Sequence, residues 1–235
     1  MIINLSKGIA TISINTDGGY IDSYEINGRD IFYPKTMIKI DGKETLRGGM
    51  HICAPNFSKD NIYKKLPMHG FARDMNWNVT KKEDNNITLT LDGCGIYENV
   101  NFKIEYLLNK KSLKTKLVIK NNSQKEVLIA PAFHPYFACD ENLAQIPGLN
   151  LDNDELYQSI FYKKNGLKFG IMDYEINIRG KVNVNEFVLW TDFRDNYICI
   201  EPTYNSIAFN DKDRKPYTLL CDESFLMDFD IEIKI

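Results

Sequence analysis

The sequence predicts an all-β protein, an antiparallel β-sandwich, on three observations. Short segments alternate apolar and polar residues with period two and are rich in β-branched and aromatic side chains. Turn signals separate them: Asp17-Gly18-Gly19, Asn27-Gly28, Asp41-Gly42, Asn85-Asn86, Asn121-Asn122-Ser123 and Asn165-Gly166. Helical periodicity is scarce, and no strand–helix alternation suggests a parallel, doubly wound sheet.

In chain order, the first alternating segment is Ala10–Ile14, followed by a short apolar run at Met37–Ile40. Ile87–Leu91, Phe102–Tyr106 and Leu113–Ile119 alternate cleanly, and Val127–Ala132 reads as a further strand. Phe187–Trp190, Tyr197–Glu201 and Phe229–Ile235 complete the set. The one helical signal is a single turn over Asp140–Ala144. No repeat, linker or low-complexity tract divides the chain, so residues 1–235 are expected to form one domain.

Composition excludes several classes of function. With 29 Lys and Arg against 32 Asp and Glu, the net charge of −3 offers no basic footprint for nucleic acid and no cationic face for a membrane. No apolar run is long enough to span a bilayer. The N-terminus, Met1-Ile2-Ile3-Asn4-Leu5-Ser6-Lys7, lacks a basic segment followed by an apolar core, so no signal peptide is expected. Five scattered cysteines (Cys53, Cys94, Cys139, Cys199 and Cys221) include no CxxC pair. That argues against a disulfide framework and a structural zinc site, and fits a cytoplasmic protein.

Four segments could carry chemistry. In Ala130-Pro131-Ala132-Phe133-His134-Pro135-Tyr136-Phe137, an extended backbone puts Ala130, Ala132, His134 and Tyr136 on one face and Phe133 and Phe137 on the other. Small alanines beside a histidine leave room for a cleft floor. The residue pattern alone equally allows a core histidine with a backbone partner. Pro131 and Pro135 lack N–H donors, which predicts a sheet edge, a bulge or a strand end.

Tyr197, Cys199 and Glu201 share a face in Tyr197–Pro202, with Pro202 expected to stop the ladder. A glutamate there suits a cleft margin, although a solvated strand-end carboxylate is the commoner case. Arg47-Gly48-Gly49-Met50-His51 and His69-Gly70-Phe71-Ala72-Arg73 place Arg47, Arg73, His51 and His69 in glycine-containing loops. A guanidinium there suits sugar hydroxyls or phosphate, and the competing reading is a surface ion pair. His51 and His69 come without paired ligand spacing, so no metal is expected.

Together these segments resemble the aldose 1-epimerase (galactose mutarotase-like) superfamily, and within it the small bacterial aldose 1-epimerase and hexose-6-phosphate epimerase-like branch. His69–Arg73 resembles its most distinctive loop. Arg47–Gly49 with Cys53 and Pro55 resembles its arginine loop. Phe133–Phe137 resembles its acid-bearing strand and Ile198–Pro202 its base-bearing strand. Gly19–Gly28 and Ile31–Tyr33 resemble its N-terminal hairpin. The motifs fall in the family's order and span nearly the whole chain. His51 stands where the group often has proline, and the stretch between Tyr136 and Trp190 is short for the family.

The resemblance implies a mutarotase-like supersandwich that interconverts the α and β anomers of a hexose without a cofactor. Glu201 would be the general base and His134 the general acid. His69 would assist at the ring oxygen or hold the sugar, and Arg47 would bind hydroxyls or a phosphate. Arg73 is the second candidate substrate arginine, and Lys64 and Lys65 permit a 6-phosphate. A substrate-binding aspartate would be Asp152, Asp154 or Asp192. A hexose-6-phosphate 1-epimerase and a non-catalytic carbohydrate-binding sandwich are the alternatives. A binding module needs no acid–base pair, and a glycoside hydrolase usually needs two carboxylates flanking the bond.

Overall fold

The clearest alternation builds the second of two sheets. Along Val100–Asn109 every other residue is buried, from Val100 through Phe102, Ile104 and Tyr106 to Leu108. Ser112–Asn121 and Ser224–Lys234 continue the pattern, with Leu113, Leu117, Ile119, Met227, Phe229 and Ile231 turned inward. Such a sheet covers the core with one face and meets water with the other. The computed structural model describes residues 1–140 and 143–235. Among these residues the second sheet has eight strands. Their order is Ala144–Gln145, Gly166–Ile171, Tyr174–Val182, Ser224–Lys234, Ser112–Asn121, Val100–Asn109, Asn86–Asp92 and Asn78–Lys82.

Among the described residues the facing sheet has nine strands. Its main path runs Ile2–Lys7, Ala10–Asn15, Tyr20–Ile26, Met50–Cys53, Ala132–Ala138, Tyr197–Thr203, Glu186–Trp190 and Ile160–Tyr162, and Arg29–Asp30 pairs with Tyr20–Ile26. The strand pairings of both sheets are antiparallel. Ile52, Phe133, Phe137, Ile198 and Ile200 join the inner residues of the second sheet in one apolar core. Alternation is lost in the middle of this sheet: Met50–Cys53 and Tyr197–Thr203 are buried throughout. Both faces of these strands are covered there, one by the core and one by the walls of a cleft.

Three local expectations are corrected. Val127–Ala132 is not one strand. Val127–Ile129 pairs with Tyr217–Leu219 in a separate ribbon, and the chain breaks at Ala130-Pro131 before Ala132–Ala138 enters the large sheet. Of the edge, bulge or strand end expected from Pro131 and Pro135, the edge is excluded: the His134 strand is central, with Met50–Cys53 on one side and Tyr197–Thr203 on the other, and Pro131 stands just before its first residue. Tyr136 N–H donates to Gly49 O at 2.9 Å, so alternation turns the missing donor of Pro135 the other way. On that side the ladder lapses between the Ala132–Thr203 and Tyr136–Cys199 pairs. The strand carrying Glu201 also runs through Pro202 to Thr203, paired with Glu186–Trp190.

The expected turn over Asp140–Ala144 includes residues 141 and 142, which lie outside the described residues, and Ala144–Gln145 is a short strand. One short α-helix occupies Asn153–Gln158 instead, capped by the Asp152 carboxylate, which accepts from the N–H groups of Asp154 and Glu155. Among the described residues no helix is long and apolar enough to cross a membrane. All five cysteines are free, with Cys53, Cys139 and Cys199 buried and Cys94 and Cys221 exposed.

Candidate active site

Strand register builds the site. His134 stands opposite His51 on the neighbouring strand. Across the lapse in the ladder, the same register carried from Ala132–Thr203 to Tyr136–Cys199 sets His134 opposite Glu201. Residues directly opposite one another project from the same face. His51, His134 and Glu201 thus form a row on the face turned away from the core, where a cleft of about 1070 Å³ opens. Arg47, His69 and Arg73 line the same cleft, so all five expected site residues meet in one place.

His69 reaches the row from a loop that the sequence holds tightly. The Asp60 carboxylate accepts four backbone hydrogen bonds, from Ile62, Tyr63, Lys65 and Leu66, at 2.8–3.0 Å. Burial works against this charge, but the four donors outweigh it and hold the carboxyl below its ordinary range. His69 N–H donates to Phe57 O at 3.0 Å, and His69 itself sits in the left-handed region at φ 68°. Such a conformation is costly for a side-chain-bearing residue and tends to occur at working sites. Gly70 follows at φ 69°, where a Cβ would lie 2.0 Å from Ala54 O. Only glycine lets the loop approach that closely.

The rings form a close cluster. His51 and His134 stack at 4.7 Å, His134 and Tyr136 at 4.8 Å, and His69 meets His134 edge-on at 5.3 Å. His134 Nε2 lies 3.5 Å from Glu201 Oε2. His134 Nδ1, Glu201 Oε2, His69 Nδ1 and Arg73 Nε are buried without a hydrogen-bond partner. Unpaired buried polar atoms are costly, so a group of them around one cleft marks a place where water or a polar ligand has hydrogen bonds to make.

Burial raises the Glu201 carboxyl well above its ordinary range. Burial lowers His134 well below its ordinary value, helped by the neighbouring His51 and His69 rings and by Arg73 and Arg47. His69 is lowered to about 3 by burial and by Arg73. Burial, His69 and Arg73 likewise hold His51 well below 6.5. Both shifts favour the uncharged forms, a neutral imidazole beside a protonated carboxyl. Among the described residues no group of three or more His, Cys, Asp or Glu is arranged to hold a metal ion.

The two arginines differ. Arg47 is already engaged: Nε and Nη2 donate to Asp192 Oδ2 at 3.0 and 2.9 Å, Nε also to Tyr197 Oη at 3.1 Å, and Nη1 to Leu46 O at 3.0 Å. One N–H on each terminal nitrogen is left for a ligand. Among the described residues the one ion pair of Arg73 is a long one, from Nε to Asp74 Oδ2 at 3.9 Å. Asp192 also accepts a short bond from Tyr197 Oη, which spends it on holding Arg47. Asp152 is the helix cap, and Asp154 follows it in the first helical turn. Lys64 and Lys65 lie on exposed surface, and the lysines that line the cleft are Lys35 and Lys59.

Sequence reading left His51 without a role, yet it is buried at the centre of the site. The signal was the alternation Met50-His51-Ile52-Cys53, which puts His51 and Cys53 on one face. Tyr20 and Trp190 also line the cleft and were not anticipated as site residues.

The sequence profile of the aldose 1-epimerase family matches residues 1–170. Among solved structures, the chain is similar to the Slr1438 protein of Synechocystis sp. PCC 6803, at 21% identity and TM-score 0.81, covering 100% of this chain and 96% of that one. It is similar to a putative aldose 1-epimerase of Escherichia coli K12, at 14% identity and TM-score 0.81, covering 100% and 99%. It is also similar to a galactose mutarotase-like protein of Lactobacillus casei ATCC 334, at 15% identity and TM-score 0.81, covering 100% of both chains. At these identities the likeness establishes the galactose mutarotase-like fold.

Proposed function

This chain belongs to the aldose 1-epimerase family, and from that premise we propose that it is a mutarotase: residues 1–235 act as one domain that interconverts the α and β anomers of a hexose. The observation that carries the reading is the buried His134–Glu201 pair at 3.5 Å, with unpartnered polar atoms on residues that line one cleft. Mutarotation asks for one base and one acid on either side of an acetal carbon, and a pair sharing one proton has the required stoichiometry.

Glu201 takes the proton of the C1 hydroxyl, and His134 delivers a proton to the ring oxygen as the C1–O5 bond breaks. The aldehyde rotates, and the roles reverse on closure. A C1 hydroxyl donating to Glu201 favours its charged form, and a ring oxygen accepting from His134 Nε2 favours the imidazolium. Substrate binding thus moves the resting proton from Glu201 to His134, the orientation needed for ring opening. His69, edge-on to His134, holds the sugar or assists at the ring oxygen. Arg47, fixed by Asp192 and Tyr197, donates its remaining N–H groups to hydroxyls. The chemistry needs no metal or cofactor. Its five free cysteines suit a reducing, cytoplasmic setting.

A second reading, a hexose-6-phosphate 1-epimerase, is favoured by one observation: Arg73 brings an unpartnered guanidinium nitrogen to the cleft. Polarimetry of freshly dissolved α-glucose and α-galactose, alongside the corresponding 6-phosphates, tests both readings. Acceleration of free hexoses supports the first, and acceleration confined to the phosphates supports the second. No acceleration of any of them contradicts the enzyme reading.

A further inference from the structure

The row that contains the acid–base pair does not stop at Glu201. Glu201 pairs with Val188, and Val188 pairs with Phe161 on the edge strand Ile160–Tyr162. The row His51, His134, Glu201, Val188 and Phe161 therefore crosses five strands on one face, and every member lines the cleft. Ile160 and Tyr162 turn the other way, against the core, while Phe161 is 36% exposed. Neighbouring strands lie about 4.8 Å apart, so Phe161 stands about 10 Å beyond Glu201 along the row. That is one pyranose ring beyond the reacting centre.

Phe161 is also braced. The Arg214 guanidinium lies 4.8 Å from its ring centroid. Arg214 is in turn held by Glu186, whose Oε1 accepts from Nη2 at 2.7 Å and whose Oε2 accepts a short bond from Ser206. Glu186 is buried, at 3% exposure. Gln158 and Asn210 line the cleft nearby in sequence to these elements and supply amide groups suited to hydroxyls. A flat aromatic face backed by a fixed cation, in a cleft that amides also line, is a surface for the apolar C–H face of a sugar ring.

We propose that Phe161, supported by the Arg214–Glu186 pair, forms a second sugar subsite, so that the cleft takes the reducing end of a disaccharide with its other ring stacked on Phe161. The proposal rests on the mutarotase reading for its catalytic consequence but not for its binding consequence, so the two are measured separately. Binding of maltose, lactose, cellobiose and glucose is read by titration calorimetry, and mutarotation of the same sugars by polarimetry. The parent protein is expected to bind at least one disaccharide more tightly than glucose. Phe161→Ala is expected to weaken that disaccharide about tenfold and to leave glucose within about twofold, in line with roughly 1–1.5 kcal/mol for an aromatic contact. Phe161→Trp, which keeps a flat face, is expected to retain the affinity.

Disaccharide binding no tighter than that of glucose, or equal in parent and Phe161→Ala, overturns the subsite whatever polarimetry shows. An equal loss for glucose and the disaccharide also overturns it, as damage to the whole cleft. If Phe161→Ala selectively weakens the disaccharide while no sugar is turned over, the subsite stands and the enzyme reading falls.

Discussion

Acidification should destabilise this protein in a way set by its site. The three histidines are the only ones in the chain, and burial holds all three below their ordinary value of 6.5, His69 at about 3. The sign follows from proton uptake. The unfolded chain protonates its histidines as pH falls through 6.5, and the native protein does not, so stability is lost on the acid side. Glu201 acts in the opposite sense. Its folded value is raised, so the native state already holds a proton that the unfolded chain takes up only near 4.5. That contribution is fully present below 4.5 and is lost as pH rises through the folded value. On the acid side of 6.5 the unfolded chain thus takes up protons on three histidines against one already held by the native carboxyl, and stability should fall with pH, each excess proton contributing about 1.4 kcal/mol per pH unit. In Glu201→Gln the opposing proton is absent and the slope should be steeper than the parent's. His69→Gln should make it shallower than the parent's by about 1.2 kcal/mol per unit. Urea unfolding at pH 7.5, 6.5, 6.0 and 5.5 measures all three. A flat parental profile between pH 6.5 and 5.5 would refute the reasoning, because the native histidines would then be taking up protons like solvated ones.

Three further outcomes are expected. His134→Ala should lose about 10²–10⁴-fold in turnover, the usual contribution of a general acid, and His69→Ala should lose less and raise KM, both read by polarimetry. A larger turnover loss at His69 would exchange the two assignments. Exhaustive treatment with EDTA should leave the mutarotation rate unchanged, and a loss restored by a divalent ion would contradict the metal-free chemistry. Arg73→Ala should reduce kcat/KM by a similar factor for a hexose and its 6-phosphate. A strong parental preference for the phosphate that collapses in this variant would make the phosphorylated sugar the substrate.

The strands were legible because period-two alternation is a local property: Ala10–Asn15, Asn86–Asp92 and Val100–Asn109 follow from their own residues. His134 and Glu201 were legible as candidates because each interrupts a run of apolar residues with a titratable group. Their alignment was not, since it depends on register between strands far apart in the chain. The role of Asp192 was hidden for the same reason: it meets Arg47 across 145 positions of sequence. The prolines were read as marking an edge, a bulge or a strand end, and Pro131 does stand at the end, directly before Ala132–Ala138. Pro135 shows that a central strand tolerates a missing N–H where the ladder opens, and the opening lies at the acid–base pair. The helix at Asn153–Gln158 was missed although Asp152 and Glu155 stand at the spacing of an N-terminal capping box.

In the proposed mechanism Glu201 and His134 together open and close the sugar ring. Exchange between the α and β anomeric proton signals of a hexose at equilibrium, followed by two-dimensional NMR with the parent protein and with Glu201→Gln, tests it most directly. The parent should produce anomer exchange well above the uncatalysed rate, and the folded variant should reduce it by about 10²-fold or more. Exchange in Glu201→Gln close to that of the parent would remove Glu201 from the mechanism and contradict the account.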